Sequence, residues 1–209
     1  KKQFRQYVRE EGPQSHLKKT GTPSMGGTAI ISATVIIALI AAACSGRLNI
    51  ELLGVLAAMI LFGIVGFVDD YEKAIKKNNL GLQLVFSAAF GIFAMYFSGG
   101  GMIGATEIWI PVFDVTFDLG IFYIPFVMFV MIAFSNSVNL TDGLDGLASG
   151  ITAMVAFFVL IAGCSFGFTG IPMVFGAVSG ACLGFLMFNK NPARIFMGDR
   201  SEERRVGKE

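Results

Sequence analysis

Six apolar stretches, each close to 20 residues long and separated by short polar or charged segments, limit what this chain can fold into. They run over roughly 26–44, 50–68, 80–98, 119–138, 146–166 and 171–188. About 20 apolar residues is what a helix needs to cross the hydrocarbon of a bilayer. Barrel strands would instead alternate every second residue over about ten positions. The charge deficit agrees: 15% of the 209 residues are charged, where a soluble domain carries about a quarter. The runs are rich in Gly, Ala and Phe, and small residues let helices approach closely in lipid. The expected fold class is all-α, a polytopic transmembrane helical bundle with about six spans.

Orientation follows from Lys and Arg, which concentrate in cytoplasmic loops. One side collects residues 1–25, 69–79, 139–145 and 189–209, with Lys1, Lys2, Arg5, Arg9, Lys18, Lys19, Lys73, Lys76, Lys77, Lys190, Arg194 and four more basic residues in the last decapeptide. The other side holds only Arg47. The first side is therefore expected to be cytoplasmic. Cys44, Cys164 and Cys182 are widely separated in or beside apolar runs. They form neither a metal spacing nor a closed disulfide framework and read as small hydrophobes.

The chemistry-bearing residues gather on the basic side. Asp69 and Asp70 close the 50–68 run, although the dipole already makes the C-terminal end of a helix negative. In AFSNSVNLTDGLDGLASG, the residues Asn136, Asn139, Asp142 and Asp145 recur at intervals of three. On a continuous helix that spacing would keep neighbours on one face. Gly143 and Gly146 are expected to leave the adjoining backbone open to a ligand. FNKNPARIFMGD adds Asn189, Asn191 and Asp199. Each feature alone has a plain alternative: Asp69 paired with Lys73 on a water-facing helix end, or Asp-Gly as a turn. Their coincidence on one side favours a site. Asp, Asn and water are the hard oxygen ligands of Mg²⁺, which commonly joins one or two carboxylates to substrate phosphates. Residues alone thus point to Mg²⁺-dependent chemistry on phosphates at the membrane surface.

KKTGTPSMGG (18–27), GFVDDYEK (66–73), SNSVNLTDGLDGLASG (135–150), GACLGFLMFN (180–189) and NPARIFMGD (191–199) resemble, in order, the polyprenyl-phosphate N-acetylhexosamine-1-phosphate transferase superfamily. TPSMGG and NLTDGLDGLA look most like its muramoyl-pentapeptide branch, which serves peptidoglycan synthesis. The resemblance implies transfer of phospho-MurNAc-pentapeptide from UDP-MurNAc-pentapeptide to undecaprenyl phosphate in the bacterial inner membrane, giving lipid I and UMP with Mg²⁺ as cofactor. It implies Asp69, Asp70 and Asp199 as catalytic residues, with Asp199 the metal ligand. Asn139, Asp142 and Asp145 match the nucleotide-site stripe, with Gly143 and Leu144 beside the uracil. Lys19, Ser24, Lys73, Asn189 and Phe196 match other cleft positions. Membrane lipid is an expected partner and nucleic acid is not. The sequence leaves oligomeric state open, a homodimer included.

The chain departs from that pattern in several places. Family members have ten spans, so one is expected before residue 1 and three after 199. Arg200 stands where the family continues FMGD with TGS, the family's histidine-rich loop is absent, and His16 does not replace it. GLQLVFS also runs straight on where a Gln-Lys usually intervenes. Residues 1–199 are expected to be a partial membrane transferase domain, inactive as it stands. RSEERRVGKE (200–209) reads as an adapter-like, non-native tail. Two rival readings stand beside this one. One is a sister transferase using UDP-GlcNAc. The other is a cation-coupled transporter, which should carry acids near the bilayer midplane; here the acids sit at span ends.

Overall fold

A computed structural model describes residues 25–72, 80–97, 106–110 and 112–198. The described elements are helices α1 (Gly26–Ser45), α2 (Ile50–Glu72) and α3 (Leu80–Phe97), strands β1 (Glu107–Ile110) and β2 (Val115–Asp118), a 3₁₀ turn (Gly120–Phe122), and helices α4 (Tyr123–Thr141), α5 (Leu147–Ser165) and α6 (Gly170–Asn189). This is the expected polytopic helical bundle. Among the described residues five helices are long and apolar enough to cross a membrane. The third expected span is the weakest, because the apolar part of α3 covers only Gly81–Tyr96. At 1.5 Å per residue that is about 24 Å, short of the roughly 30 Å hydrocarbon thickness.

Helix ends differ from the apolar runs in an instructive way. α2 continues four residues beyond 68, through Asp69 and Asp70 to Glu72. A helix satisfies its own backbone, so it can outlast the apolar segment that placed it in the membrane. α4 starts later than expected and runs on through Asn139 to Thr141, where Asp142 caps it with its N–H on the Val138 carbonyl at 3.2 Å.

The centre of the bundle combines small side chains with two leucines. Ala38 and Ala42 of α1, Leu52 and Leu56 of α2, and Val174 and Ala177 of α6 form one buried cluster. Such packing in lipid rests on close contact rather than on exclusion of water. Gly163 lets α5 approach Pro172 of α6, where a Cβ would come within 2.8 Å of the proline Cγ. Below it the Ser179 hydroxyl of α6 donates to the Ala153 carbonyl of α5 at 3.0 Å. Gly54 of α2 similarly lies under the Phe93 ring of α3, with no room for a methyl group.

The β-hairpin between α3 and α4 lies outside the expected all-helical plan. Its antiparallel register pairs Glu107 with Asp118, Ile108 with Phe117, Trp109 with Thr116 and Ile110 with Val115. It enters α4 at the end of the bundle opposite Asp142.

Candidate functional site

The site is assembled around the beginning of α1. Its first turn has backbone N–H groups with no partner inside the helix. Two of them leave the helix for the chain's last described loop: Gly26 N–H donates to the Phe196 carbonyl at 2.9 Å and Gly27 N–H to the Met197 carbonyl at 2.8 Å. Both residues are glycines for a steric reason. A Cβ on Gly26 would overlap the Phe185 ring and lie 2.9 Å from the Phe196 oxygen, and one on Gly27 would lie 3.2 Å from the Met197 oxygen. Met25 turns into the helix at φ 76°, and Thr28 returns its hydroxyl to the Met25 carbonyl at 2.7 Å.

The loop following α6 is held at five consecutive residues. Ala193 N–H donates to a carboxylate oxygen of Asp145 at 3.2 Å, and Arg194 N–H to the Phe188 carbonyl at 2.8 Å. The Ile195 carbonyl accepts the Asn189 side-chain amide at 2.9 Å. Phe196 and Met197 accept from α1 as above. Gly198 is thereby fixed at the cavity edge, immediately before Asp199.

Asn189 organises this region from beneath. It is 2% exposed, and its Oδ1 accepts both the Gly146 N–H at 3.0 Å and the Ser149 hydroxyl at 3.1 Å. The turn between α4 and α5, the start of α5, the end of α6 and the loop beyond it therefore share one side chain. Phe196, also 2% exposed, is packed into the same region. Asn189 and Phe196, matched by resemblance to cleft positions, are buried and are not among the residues that line the described cavity.

A cavity of about 340 Å³ lies at this end of the bundle. Met25, Gly27 and Thr28 of the α1 start, Gly66 and Phe67 of α2, Gln83 of α3, Ser135, Asn139 and Asp142 of the α4 end, and Met197 and Gly198 line it. Asn139 and Asp142 are brought together as expected, but the stripe at intervals of three does not continue. The helix ends at Thr141, so Asp145 falls in the following turn and holds Ala193 instead. Asn136 is exposed and donates to the Ile132 carbonyl one turn back. Gly143 has nothing within 4 Å of where a Cβ would lie, leaving its backbone open; Leu144 beside it is 63% exposed. Gly146 is not open, contrary to expectation: at φ 77° it begins α5 with Leu186 and Asn189 over it.

Asp69 and Asp70 belong to the last turn of α2, about one turn beyond the cavity-lining Gly66 and Phe67. Lys19, Ser24, Lys73, Asp199 and the 200–209 tail lie outside the described residues. Among the described residues no three His, Cys, Asp or Glu side chains converge as a metal group. Asn139 and Asp142 are nevertheless hard oxygen donors on a common wall, which fits a Mg²⁺ that keeps water and phosphate as its other ligands. The sequence reading gave Gly26, Gly27, Ser149 and Met197 no individual role, although all four lie within the quoted motifs, because their contacts are long-range.

The sequence pattern describing glycosyl transferase family 4 matches residues 52–201. The phospho-N-acetylmuramoyl-pentapeptide-transferase of Clostridioides difficile (strain 630) is 42% identical over 201 residues, covering 94% of this chain and 61% of that protein. The protein of the same name from Bacillus anthracis is 47% identical over 209 residues, covering 95% and 62%. That from Bacillus thuringiensis (strain Al Hakam) is 46% identical with the same coverage. The chain thus spans about three fifths of the length of these relatives.

Proposed function

This chain belongs to glycosyl transferase family 4, and we propose that the protein it forms part of moves phospho-MurNAc-pentapeptide from its UDP-linked form to undecaprenyl phosphate. In the balanced step, a carrier phosphate oxygen attacks the sugar-linked phosphorus. The bond between the two phosphates of the nucleotide breaks, UMP leaves with the bond's electrons, and lipid I remains in the membrane. The names of the relatives support the choice of substrate. The observation that carries the reading is the cavity that Asn139 and Asp142 line together with Met197 and Gly198 at one end of a membrane bundle.

In that cavity Asn139 and Asp142 supply oxygen donors, and Asp199, next after Gly198, supplies the further carboxylate. When bound, Mg²⁺ would offset the charge of the diphosphate and stabilise the leaving UMP. The apolar wall from Phe62, Val65 and Phe67 suits the first part of a lipid chain, while the α4 end presents the polar side to a soluble nucleotide. Asp69 or Asp70 orients or deprotonates the carrier phosphate. The lysines and arginines on the same side of the spans support a cavity at the cytoplasmic face of the inner membrane.

The test is an assay of the full-length protein in nanodiscs with undecaprenyl phosphate, Mg²⁺ and either nucleotide sugar. UMP release with UDP-MurNAc-pentapeptide and not with UDP-GlcNAc is the expected result. Transfer of GlcNAc-1-phosphate alone overturns the reading.

A further inference from the structure

The β-hairpin at the opposite end of the bundle has two unlike faces. Its register places Ile108, Ile110, Val115 and Phe117 on one face, and Glu107, Trp109, Thr116 and Asp118 on the other, because side chains alternate along each strand. The polar face is internally bonded and anchored. Thr106 donates its hydroxyl to Asp118 at 2.5 Å, Trp109 donates its indole N–H to Asp114 at 3.0 Å, and the Trp109 ring meets Phe166 edge-on with centroids 6.0 Å apart. The β2 half of the apolar face and the tip remain uncovered, with Phe117 55% exposed, Phe113 74% and Val112 83%, while Ile108 and Ile110 of β1 are half-buried. An isolated two-stranded hairpin is marginal in water, and one exposing this much apolar surface to water is worse placed still.

Two ties set its height. Gly120 begins the span that continues as α4, two residues after β2 ends, and Phe166 directly follows the span Leu147–Ser165. The hairpin is therefore held level with the ends of two spans. Ile121 and Phe122, on the span's own first turn, are also exposed and continue the apolar surface.

We propose that this hairpin lies in the interfacial layer of the bilayer, its tip Val112–Phe113 and the face carrying Val115 and Phe117 sunk among the upper acyl chains, its Trp109 face turned to the outer ends of α5 and α6. Amphipathic segments seat their apolar side about 5–10 Å into the boundary between headgroups and acyl chains, and Trp at that level is the usual interfacial residue. The occupant of the exposed face is lipid because the face is continuous with lipid-facing span residues. The inference rests on the membrane fold alone and stands or falls separately from the transfer reaction.

The test uses the full-length protein with Cys44, Cys164 and Cys182 replaced by alanine, and any other cysteine likewise. It is reconstituted in vesicles of phosphatidylethanolamine and phosphatidylglycerol. Nitroxides are attached singly at Phe113→Cys, Phe117→Cys and Thr116→Cys, and collision rates with oxygen and with a water-soluble nickel chelate are compared. The oxygen-to-nickel ratio at 113 and 117 is expected to exceed that at 116 several-fold. Equal ratios at all three positions would mean a hairpin in water and overturn the proposal. Low collision rates with both reagents at 113 and 117 would mean cover by another part of the protein, and overturn it too. The tip and the face report independently, so a misfolded single variant does not decide the outcome.

Discussion

The Oδ1 of Asn189 accepts the backbone N–H of Gly146 at 3.0 Å, joining the last residue of α6 to a turn 43 residues earlier. Through this bond the Asp-Gly-rich turn that carries Asp142 and the loop that leads to Asp199 become one unit. The side chain also holds Ser149 and Ile195, so its place is structural before it is chemical.

Asn189→Ala would leave the Gly146 N–H, the Ser149 hydroxyl and the Ile195 carbonyl short of a partner in a buried position. The expected cost is about 2–4 kcal/mol, because unsatisfied buried polar groups forfeit their desolvation energy. Thermal unfolding of the full-length protein in detergent reads it directly. Asn189→Asp keeps the acceptor but sets a carboxylate oxygen against the Ile195 carbonyl, so its midpoint should fall as well. Wild-type midpoints in both variants would refute the keystone role.

Gly26→Ala tests the clamp between α1 and the last loop. The new methyl group overlaps the Phe185 ring, itself buried, and presses on the Phe196 carbonyl. Overpacking of this kind costs about 1–3 kcal/mol. Gly180→Ala on the open side of α6, where nothing lies within 4 Å, is the matched control. It should stay within about 0.5 kcal/mol of wild type. The unfolding midpoints should separate the two, and equal midpoints would mean that the close approach at Gly26 is not needed.

What the sequence disclosed and what it hid follow one physical division. Apolar runs mark spans because lipid demands them, so the segments 26–44, 146–166 and 171–188 match α1, α5 and α6 within one or two residues. The hairpin was missed although Ile108, Ile110, Val115 and Phe117 do alternate, since four-residue strands in an apolar chain carry little pattern. The acids were legible as a group, and Asn139 and Asp142 do share a cavity wall. The structural contacts of Asp145 and Asn189 were not, since their partners Ala193 and Gly146 are 48 and 43 residues distant. No local spacing encodes such contacts.

Asp118 gives the hairpin a pH dependence of known sign. The Thr106 hydroxyl and then the Gly120 amide, both donating to its carboxylate, hold its pKa below the ordinary 3.8. A carboxyl lowered in the folded state stabilises it above the unfolded value and loses that contribution as pH falls through the folded value. The hairpin should therefore loosen only below pH 3.8. Thr106→Val removes the larger cause and should raise the Asp118 pKa toward 3.8, measured by carbon-13 shifts of labelled aspartate. An unmoved titration would show that the hydroxyl is not the cause.

Asp69→Asn in the full-length protein should lower turnover by about 10²–10⁴-fold, the range for loss of a positioned acid–base group. Binding of the nucleotide sugar should be nearly unchanged, since the proposed role of Asp69 is on the carrier phosphate and not on the nucleotide. Isothermal titration beside steady-state kinetics separates the two. Collapse of binding would make Asp69 a structural or nucleotide-recognising residue.

Asp199→Ala is the sharper test of the proposed metal site. The five residues 193–197 are each fixed by a hydrogen bond, so the segment before Asp199 should hold its shape when the carboxylate is removed. Transfer is expected to be abolished at every Mg²⁺ concentration, with the unfolding midpoint within about 0.5 kcal/mol of wild type. Asp142→Ala, which leaves Asp199 in place, should instead retain weak transfer and require more Mg²⁺ for half-maximal rate. Loss of a second carboxylate donor to the same ion weakens its hold without removing the site. Near-normal activity of Asp199→Ala with Mg²⁺ would place the metal elsewhere. A wild-type Mg²⁺ dependence in Asp142→Ala would restrict that side chain to shaping the turn.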